Sequence, residues 1–409
     1  MKKLVLAASA AFAACVVNAA GFGIYEASAR GNALGDSLVG ATDESDASAV
    51  YYNPAGIAFK NRAQFAVGSS FINPYCDIDV DHVAQERMNP GWFVIPTTFF
   101  TTPIGGGFSF GWGNYTEYGL GSHYSPGWDL AEDTQKTTLR QVTLNPNLAY
   151  KITDWWSVSA GPRISWIQFE SFTQPYNKVG LANLRSHLKG DDWDIGYNAA
   201  TTVKLTEDVS LGLIYRSQIR HKIKGHFTLE GVGPTGLPMP TQHGAEGALL
   251  TLPRSVVLGI NWRATEKWRL GAAFTWTEWS SVKNIHFRGT HNKTLPLNWE
   301  NTGRFGFGTE YDLLDWLTVR GGYVYDMDPS SKHYGTTMIP AGDRHIISSG
   351  LGFRITQDLW LDFGYSFIRM TNDDRFVDGT GLTGAPQKKR FSSHNGVSHI
   401  LSATVRYTF

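Results

Sequence analysis

The feature that most constrains this chain is an alternation of apolar and polar residues from Phe59 to the last residue, in segments of roughly 10 to 20 residues. The final segment shows it most clearly, because its apolar residues share one parity and its polar residues the other: Leu401, Ala403, Val405, Tyr407 and Phe409 against Ser402, Thr404, Arg406 and Thr408. Successive side chains of a strand point to opposite faces. Each segment therefore predicts a β-strand with one apolar and one polar face.

This alternation fits two architectures. In a soluble sandwich the apolar faces pack against each other, whereas in a membrane barrel they face lipid and the polar faces line the interior. Aromatic residues favour the barrel, because tryptophans collect at strand ends where an interfacial girdle places them. They are Trp155, Trp156, Trp262, Trp268, Trp316 and Trp360. The chain also stops on Phe409, an ending similar to the assembly signal of outer-membrane barrels, so we expect the barrel assembly machinery as a partner.

The connections between the segments alternate in length. Short polar turns occur near positions 102–103, 153–154, 207–208, 265–266, 314–315 and 357–358, with longer segments between them. Short periplasmic turns and long extracellular loops are typical of outer-membrane barrels, and lipid requires the sheet to close. We predict an all-β fold, a transmembrane antiparallel β-barrel of about 14 strands, in the outer membrane of a Gram-negative cell.

Residues 1–19 predict a signal peptide. Two lysines precede an apolar run from Leu4 to Val17, and small residues follow as far as Ala19. A lipoprotein signal that uses Cys15 is the alternative, although Phe12 is a poor residue for that motif. No later apolar run reaches the roughly 18 to 20 residues of a membrane-spanning helix.

The stretch 20–58 lacks the alternation and is rich in Gly, Ala, Ser and Asp. Small residues pack tightly inside another structure, and a barrel of this size has room for a plug. Pro54 and Gly56 allow the chain to turn into the first strand. We therefore predict a plug, or hatch, at 20–58 and the barrel at 59–409. An N-terminal cap of short helical turns is the alternative.

Composition and motifs argue against other classes of protein. The 36 basic and 36 acidic residues balance, so nothing indicates a nucleic-acid partner. If Cys15 leaves with the signal, Cys76 is alone, which excludes an intramolecular disulfide and a Cys-based metal site. The segment 107–111 fits G-x-S-x-G, but within a strand pattern it lacks the context of a nucleophile elbow. We expect neither an enzyme nor a metal or cofactor.

Several short motifs follow one another along the chain: Asn53-Pro54-Ala55, Leu252-Pro253-Arg254-Ser255, Trp276-Thr277-Glu278-Trp279-Ser280, and the segment from Arg304 to Tyr311. In this order and spacing they resemble the outer-membrane long-chain fatty acid transporters of the FadL type, a family that includes hydrocarbon-uptake relatives. The resemblance covers essentially the whole chain after residue 19.

The resemblance implies a monomeric barrel that takes up hydrophobic molecules without energy input. Extracellular loops would capture the ligand and pass it to an inner pocket gated by the hatch. The hatch would then open a lateral gap beside a kinked third strand, releasing the ligand into outer-membrane lipid. The hatch positions are Asn53, Pro54, Ala55 and Gly56. The third strand would span 106–124, where Gly106, Gly111 and Gly113 loosen the backbone.

Four residues are candidates for contact with the ligand. Phe22 matches the hatch aromatic near the family's inner pocket. Arg163 shares its parity with Ile167 and Phe169, so the three would form an apolar pocket with one cation. An interior arginine that pairs with a carboxylate is the alternative.

The predicted function is passive uptake of long-chain fatty acids or similar hydrophobic compounds. An apolar pocket captures such ligands because each buried methylene contributes roughly 0.8 kcal/mol. The alternatives are a transporter of aromatic hydrocarbons and a non-transport outer-membrane protein, either a lipid-acting enzyme or a surface adhesin.

Overall fold

The computed structural model describes residues 21–42, 46–82, 84–174, 183–233, 236–289, 293–340, 342–380 and 386–409. The predicted signal peptide lies outside these residues. Among them, no helix is both long enough and apolar enough to cross a membrane.

Strands dominate the described residues. They are β1 (Gln64–Val80), β2 (Ala84–Met88), β3 (Phe93–Gly105), β4 (Phe108–Tyr115), β5 (Leu120–His123), β6 (Lys136–Lys151), β7 (Trp156–Thr173), β8 (Asn183–Lys204), β9 (Val209–Arg216), β10 (Ile219–Val232), β11 (Pro238–Leu252), β12 (Ser255–Arg263), β13 (Trp268–Thr277), β14 (Asn284–Gly289), β15 (Lys293–Pro296), β16 (Thr302–Leu314), β17 (Leu317–Asp326), β18 (Arg344–Arg354), β19 (Leu359–Met370), β20 (Asp373–Thr380) and β21 (Pro386–Thr408).

These segments form one closed antiparallel sheet of 14 barrel strands. Six barrel strands are interrupted and consist of two segments each: β4 with β5, β9 with β10, β11 with β12, β13 with β14, β15 with β16, and β19 with β20. The short β2 pairs only with the outer part of β1. The first strand pairs with both β3 and the last strand, β21, so the sheet has no free edge there. The predicted barrel is confirmed.

The apolar rows point away from the barrel interior. On β8, Trp193, Ile195 and Tyr197 are 60%, 61% and 56% exposed. On the neighbouring β7, the inward-facing Arg163 and Ser165 are fully buried. An apolar exterior around a polar interior is the arrangement of a membrane barrel and excludes the soluble sandwich. Exposed tryptophans next to the short turns form the expected girdle at one end: Trp155, Trp262, Trp268 and Trp316.

The described residues of the segment 21–59, which we call the hatch, lie inside the barrel. It contains two short α-helices, α1 (Ala29–Ala33) and α2 (Ala49–Tyr52), and a 3-10 helix at Pro54–Phe59. Ser28 caps α1 by accepting a hydrogen bond from the Gly31 amide. Nearly every described hatch residue is buried, which agrees with its small side chains.

Charged side chains hold the hatch against the wall. Arg30 of α1 forms ion pairs with Asp46 at 3.2 Å and with Glu310 of β16 at 2.9 Å. Glu310 also binds Arg320 at 2.5 Å, and Arg320 in turn binds Asp362 at 2.8 Å. Because these groups are almost fully buried, each charge depends on its partners. The network explains why the inward parity of these strands carries charge.

Candidate functional site

An apolar pocket lies inside the barrel on the extracellular side of the hatch. Its space, open solvent included, is about 460 Å³. It is bounded by side chains from six barrel strands, the hatch, the residue after β15 and the loop after β17: Phe22, Leu120, Leu139, Phe169, Ile223, Ala248, Leu250, Ile285, Leu297, Thr336, Met338 and Ile339. Thr336 is the one polar residue in this lining. An almost wholly apolar lining of this kind suits an apolar small molecule.

Phe22 forms the floor of the pocket and is held in a cage of aromatic rings. Its ring lies 5.7 Å from that of Tyr118, 5.1 Å from that of Trp279 and 5.5 Å from that of Trp299, measured between centroids. Gly21 has a φ of +61°, and an added Cβ would lie 2.8 Å from the Trp299 ring. A glycine at this position therefore allows the hatch to enter the cage.

A second, polar cavity of about 570 Å³ begins where the apolar pocket ends. The three hatch residues after Phe22 line it, together with Asp36, Glu117, Arg216 and Arg304. Burial raises the pKa of the Asp36 carboxyl to about 6, although the Arg304 guanidinium, 2.6 Å away, lowers it. Phe22 thus separates an apolar compartment from a charged one.

The third barrel strand is interrupted beside this cage. β4 ends at Tyr115 and β5 begins at Leu120, and the register between β3 and β4 ends at the pair Thr98–Asn114. Beyond that point β5 pairs with β6 but not with β3. The residues 116–119, which we call the inturned segment, have left the wall, so a gap in the sheet opens between the second and third barrel strands.

The inturned segment is bonded to the hatch. Ile24 donates its amide hydrogen to the Glu117 carbonyl at 2.7 Å, and Gly119 donates to the Phe22 carbonyl at 2.7 Å. Gly23 and Tyr118 therefore face each other as an antiparallel bridge. Backbone groups that would have paired with β3 are satisfied by the residues beside the pocket floor.

Polar side chains on the other side fix the same segment. Arg163 donates to Oε2 of Glu117 at 2.5 and 3.2 Å, and Arg216 lies 3.4 Å from Oε1. The amide oxygen of Gln141 accepts a hydrogen bond from the Glu117 backbone at 2.9 Å. Arg163 is fully buried, so the Glu117 carboxylate is its necessary counter-charge.

The predicted site residues fall into two groups. Phe22 and Phe169 line the apolar pocket. Ile167 is buried in the hydrophobic cluster around the pocket but does not line it, and Arg163 is engaged with Glu117. Their shared parity therefore does place the three β7 residues on the inner face, but at different heights.

The hatch tripeptide is bonded to β7 and β8, the fifth and sixth barrel strands. Asn53 donates from Nδ2 to the carbonyls of Val39 and Thr201, at 2.9 and 3.1 Å, and accepts from the Ala55 amide. The Ala55 carbonyl accepts from Ser157 of β7. Pro54 opens the 3-10 helix, and Gly56 lies within it, where an added Cβ would meet the Ala41 carbonyl at 2.9 Å.

The three glycines proposed for the third strand lie before the interruption. Gly106 has a φ of +62° in the turn that precedes β4. Gly111 and Gly113 are within β4 itself, and a Cβ on Gly111 would lie 2.7 Å from Ile57 of the hatch. Gly111 thus permits close approach of the hatch to the strand.

Sequence reasoning missed two parts of the site. The loop after β17 contributes Thr336, Met338 and Ile339 to the pocket, and a loop without periodicity gives no signal for this. Glu117 and Gln141 were also missed. The one available signal was an acidic residue, Glu117, in the third strand, which could serve as the partner of the inward-facing Arg163.

Comparison with known proteins adds to this geometry. A family model described as "Outer membrane protein transport protein (OMPP1/FadL/TodX)" matches residues 10–409. The long-chain fatty acid transport protein of Escherichia coli O6:H1 is 27% identical, over 93% of this chain and 93% of that protein. Outer membrane protein P1 of Haemophilus influenzae is 26% identical, over 90% of this chain and 91% of that protein.

Solved structures share the fold. A FadL homologue of Pseudomonas aeruginosa superposes with a TM-score of 0.83 at 22% identity, covering 95% of this chain and 100% of that one. The toluene transporter TodX of P. putida superposes with a TM-score of 0.73 at 19% identity, covering 93% and 98%.

Proposed function

Because the chain belongs to the OMPP1/FadL/TodX family of outer-membrane transport proteins, we propose that it takes up hydrophobic compounds passively, through the apolar pocket and out through the gap beside the third strand. Long-chain fatty acids and neutral hydrocarbons are the two ligand classes that its relatives and structural neighbours carry in their names. The apolar lining of the pocket is the observation that supports capture.

Capture needs no specific polar contact. A ligand that enters this apolar lining gains roughly 0.8 kcal/mol for each methylene that leaves water. No cation of the described residues lines this pocket. A neutral hydrocarbon or an acyl tail therefore suits it, and a carboxylate would need partners outside it, since Arg216 and Arg304 lie beyond Phe22.

Release follows from the bridge between the hatch and the inturned segment. A ligand in the pocket touches Phe22, whose carbonyl accepts from the Gly119 amide, and the Ile24 amide donates to the Glu117 carbonyl. Displacement of Phe22 therefore pulls on the segment that borders the gap. We propose that this bridge couples occupancy of the pocket to the width of the gap.

A reversible cross-link tests the coupling. Gly23 and Tyr118 are a non-hydrogen-bonded pair, whose Cα atoms are about 4.5 Å apart, within the range of a disulfide. A Cβ on Gly23 would meet nothing closer than 3.3 Å. The double variant Gly23→Cys/Tyr118→Cys should, when oxidised, bind labelled oleate or toluene but fail to deliver it into Gram-negative cells that lack their own transporter.

The reduced double variant is the matched control, because it differs only in the S–S bond. Uptake should return on reduction. Because the native Cys76 is buried, we expect it not to form a disulfide with either new cysteine. Equal uptake by the oxidised and reduced forms would refute the coupling.

A further inference from the structure

A cluster of cations lies on the outer surface of the seventh and ninth barrel strands. Ile223 of β10 lines the apolar pocket, so Arg220, Lys222 and Lys224, which have the opposite parity, face outward. All three are exposed. On β14, Ile285 faces the pocket and the exposed Arg288 therefore also points outward.

The register brings these cations together. Lys224 pairs with Gly247 of β11, and Gly247 pairs with Arg288 of β14. The two cations thus lie in one row, two strands or roughly 10 Å apart, with no side chain between them. The surface over Gly247 is therefore open, with the Lys224 ammonium on one side and the Arg288 guanidinium on the other. Lys222 is the next outward-facing residue on β10.

The height of the cluster places it at the boundary of the outer leaflet. Outward positions on the seventh barrel strand are apolar from Val209 to Tyr215 and become basic at Arg220. Eleven residues at about 3.3 Å per residue and a tilt of about 40° span roughly 28 Å, close to the height of the apolar band of such barrels. On β8, Asp191 lies two residues before the exposed Trp193 and pairs in register with Lys224.

Asp191 lies opposite Lys224 in register, but these cations form no ion pairs with the described carboxylates. Exposed arginines elsewhere bind carboxylates, as Arg87 binds Asp77 at 2.7 Å and Arg263 binds Asp208 at 2.7 Å. Within the described part of the chain, Lys222, Lys224 and Arg288 have no carboxylate within ion-pair distance. Arg220 contacts only the amide of Gln218 in the preferred orientation of that side chain.

We propose that this cluster binds the phosphate groups of the glycolipid that forms the outer leaflet of the membrane. Unpaired cations at the headgroup level attract an anion, and an arginine and a lysine that flank a glycine match a phosphate that approaches from the lipid side. The glycolipid is favoured over ordinary phospholipid because the cluster is at the extracellular end, above the apolar band.

The test uses detergent-purified whole protein and fluorescent lipid A with both phosphates. The variant Lys222→Gln/Lys224→Gln/Arg288→Gln should bind it at least tenfold more weakly than the unmodified protein. Since all three side chains are outward and exposed, the barrel should fold, as checked by its heat-dependent mobility on gels. Uptake of hydrophobic compounds is a separate property and is measured in parallel.

A control variant removes three cations at the other end of the barrel, Lys151→Gln/Lys267→Gln/Arg354→Gln, and should bind lipid A as the unmodified protein does. Dephosphorylated lipid A, phosphatidylglycerol and inorganic phosphate, tested on the unmodified protein, identify the source of the phosphate without any variant. Equal losses in the two triple variants, or equal affinity for lipid A with and without its phosphates, would overturn the proposal. Equal affinity for phosphatidylglycerol and lipid A would mean that the cluster attracts any anionic lipid, and this result would also overturn the proposal.

Discussion

Replacing Arg163 by methionine separates two roles for this buried cation. Its guanidinium lies 2.5 Å from the Glu117 carboxylate and is fully buried. Removing one partner of a buried pair costs about 3–5 kcal/mol, because the other charge is left without compensation. Arg216 remains 3.4 Å from Glu117 and offsets part of this loss, so we expect about 2–3 kcal/mol.

That free energy should appear as easier opening of the inturned segment. At 1.4 kcal/mol for each tenfold change, about 2.7 kcal/mol corresponds to roughly 100-fold faster hydrogen exchange at residues 116–119. Exchange followed by mass spectrometry on the purified barrel measures it. Transport of fatty acids and of neutral hydrocarbons should change together, since both ligands would use the same gap.

The double variant Arg163→Met/Glu117→Gln supplies the control, because it removes both charges of the pair. It should recover most of the loss, to within about tenfold of the unmodified protein. The reasoning fails if the double variant exchanges as fast as the single one. It also fails if Arg163→Met weakens binding of fatty acids alone, because Arg163 would then be a partner of the ligand carboxylate.

Three further predictions concern the hatch. Phe22→Ala should weaken ligand binding by up to about fivefold, since the ring is one of the apolar groups that line the pocket and the ligand would lose roughly 1 kcal/mol of contact with it, whereas Ile167→Val, outside the pocket lining, should leave the affinity unchanged in the same equilibrium titration. Gly212→Ala would place a Cβ 1.9 Å from the Val39 carbonyl and should accelerate hatch exchange, and unchanged exchange would contradict that close approach. Because burial raises the pKa of Asp36 from 3.8 to about 6, the native hatch binds this proton more tightly, and its stability should fall by at most about 3 kcal/mol as pH rises from 4 to above 6. Asp36→Asn should remove this pH dependence of hatch stability, measured by hydrogen exchange after correction for the intrinsic exchange rate. An unchanged pH dependence in the variant would mean that another group causes it.

The barrel could be derived from sequence because its signal is local. A two-residue period appears within each strand, as in 401–409, and the alternation of short and long connections then orders the strands. A hatch could be predicted because the stretch before the first strand lacks this period and is rich in small residues. The contacts of Gly212 and Gly111 with the hatch are consistent with that composition.

The pocket could not be derived in the same way, because its walls come from distant parts of the chain. Met338 and Ile339 reach it through a loop in which no period marks an inner face. The break in the third strand lies at residues 116–119, and its cause is tertiary: the hatch backbone and Gln141 offer hydrogen bonds that compete with β3. The glycine content of the third strand indicated the strand that is interrupted, but it did not indicate that residues 116–119 are the ones that leave the wall.

The described residues of the hatch are enclosed by a wall whose seam joins β1 to β21, and this constrains the order of assembly. The earliest-synthesised part of the described chain must already occupy the lumen when the latest-synthesised strand docks, or it would have to thread through a finished cylinder. Closure of that seam is therefore the step that commits the N-terminal segment to the inside, and a chain stalled before β21 would leave its buried arginines and carboxylates open to water.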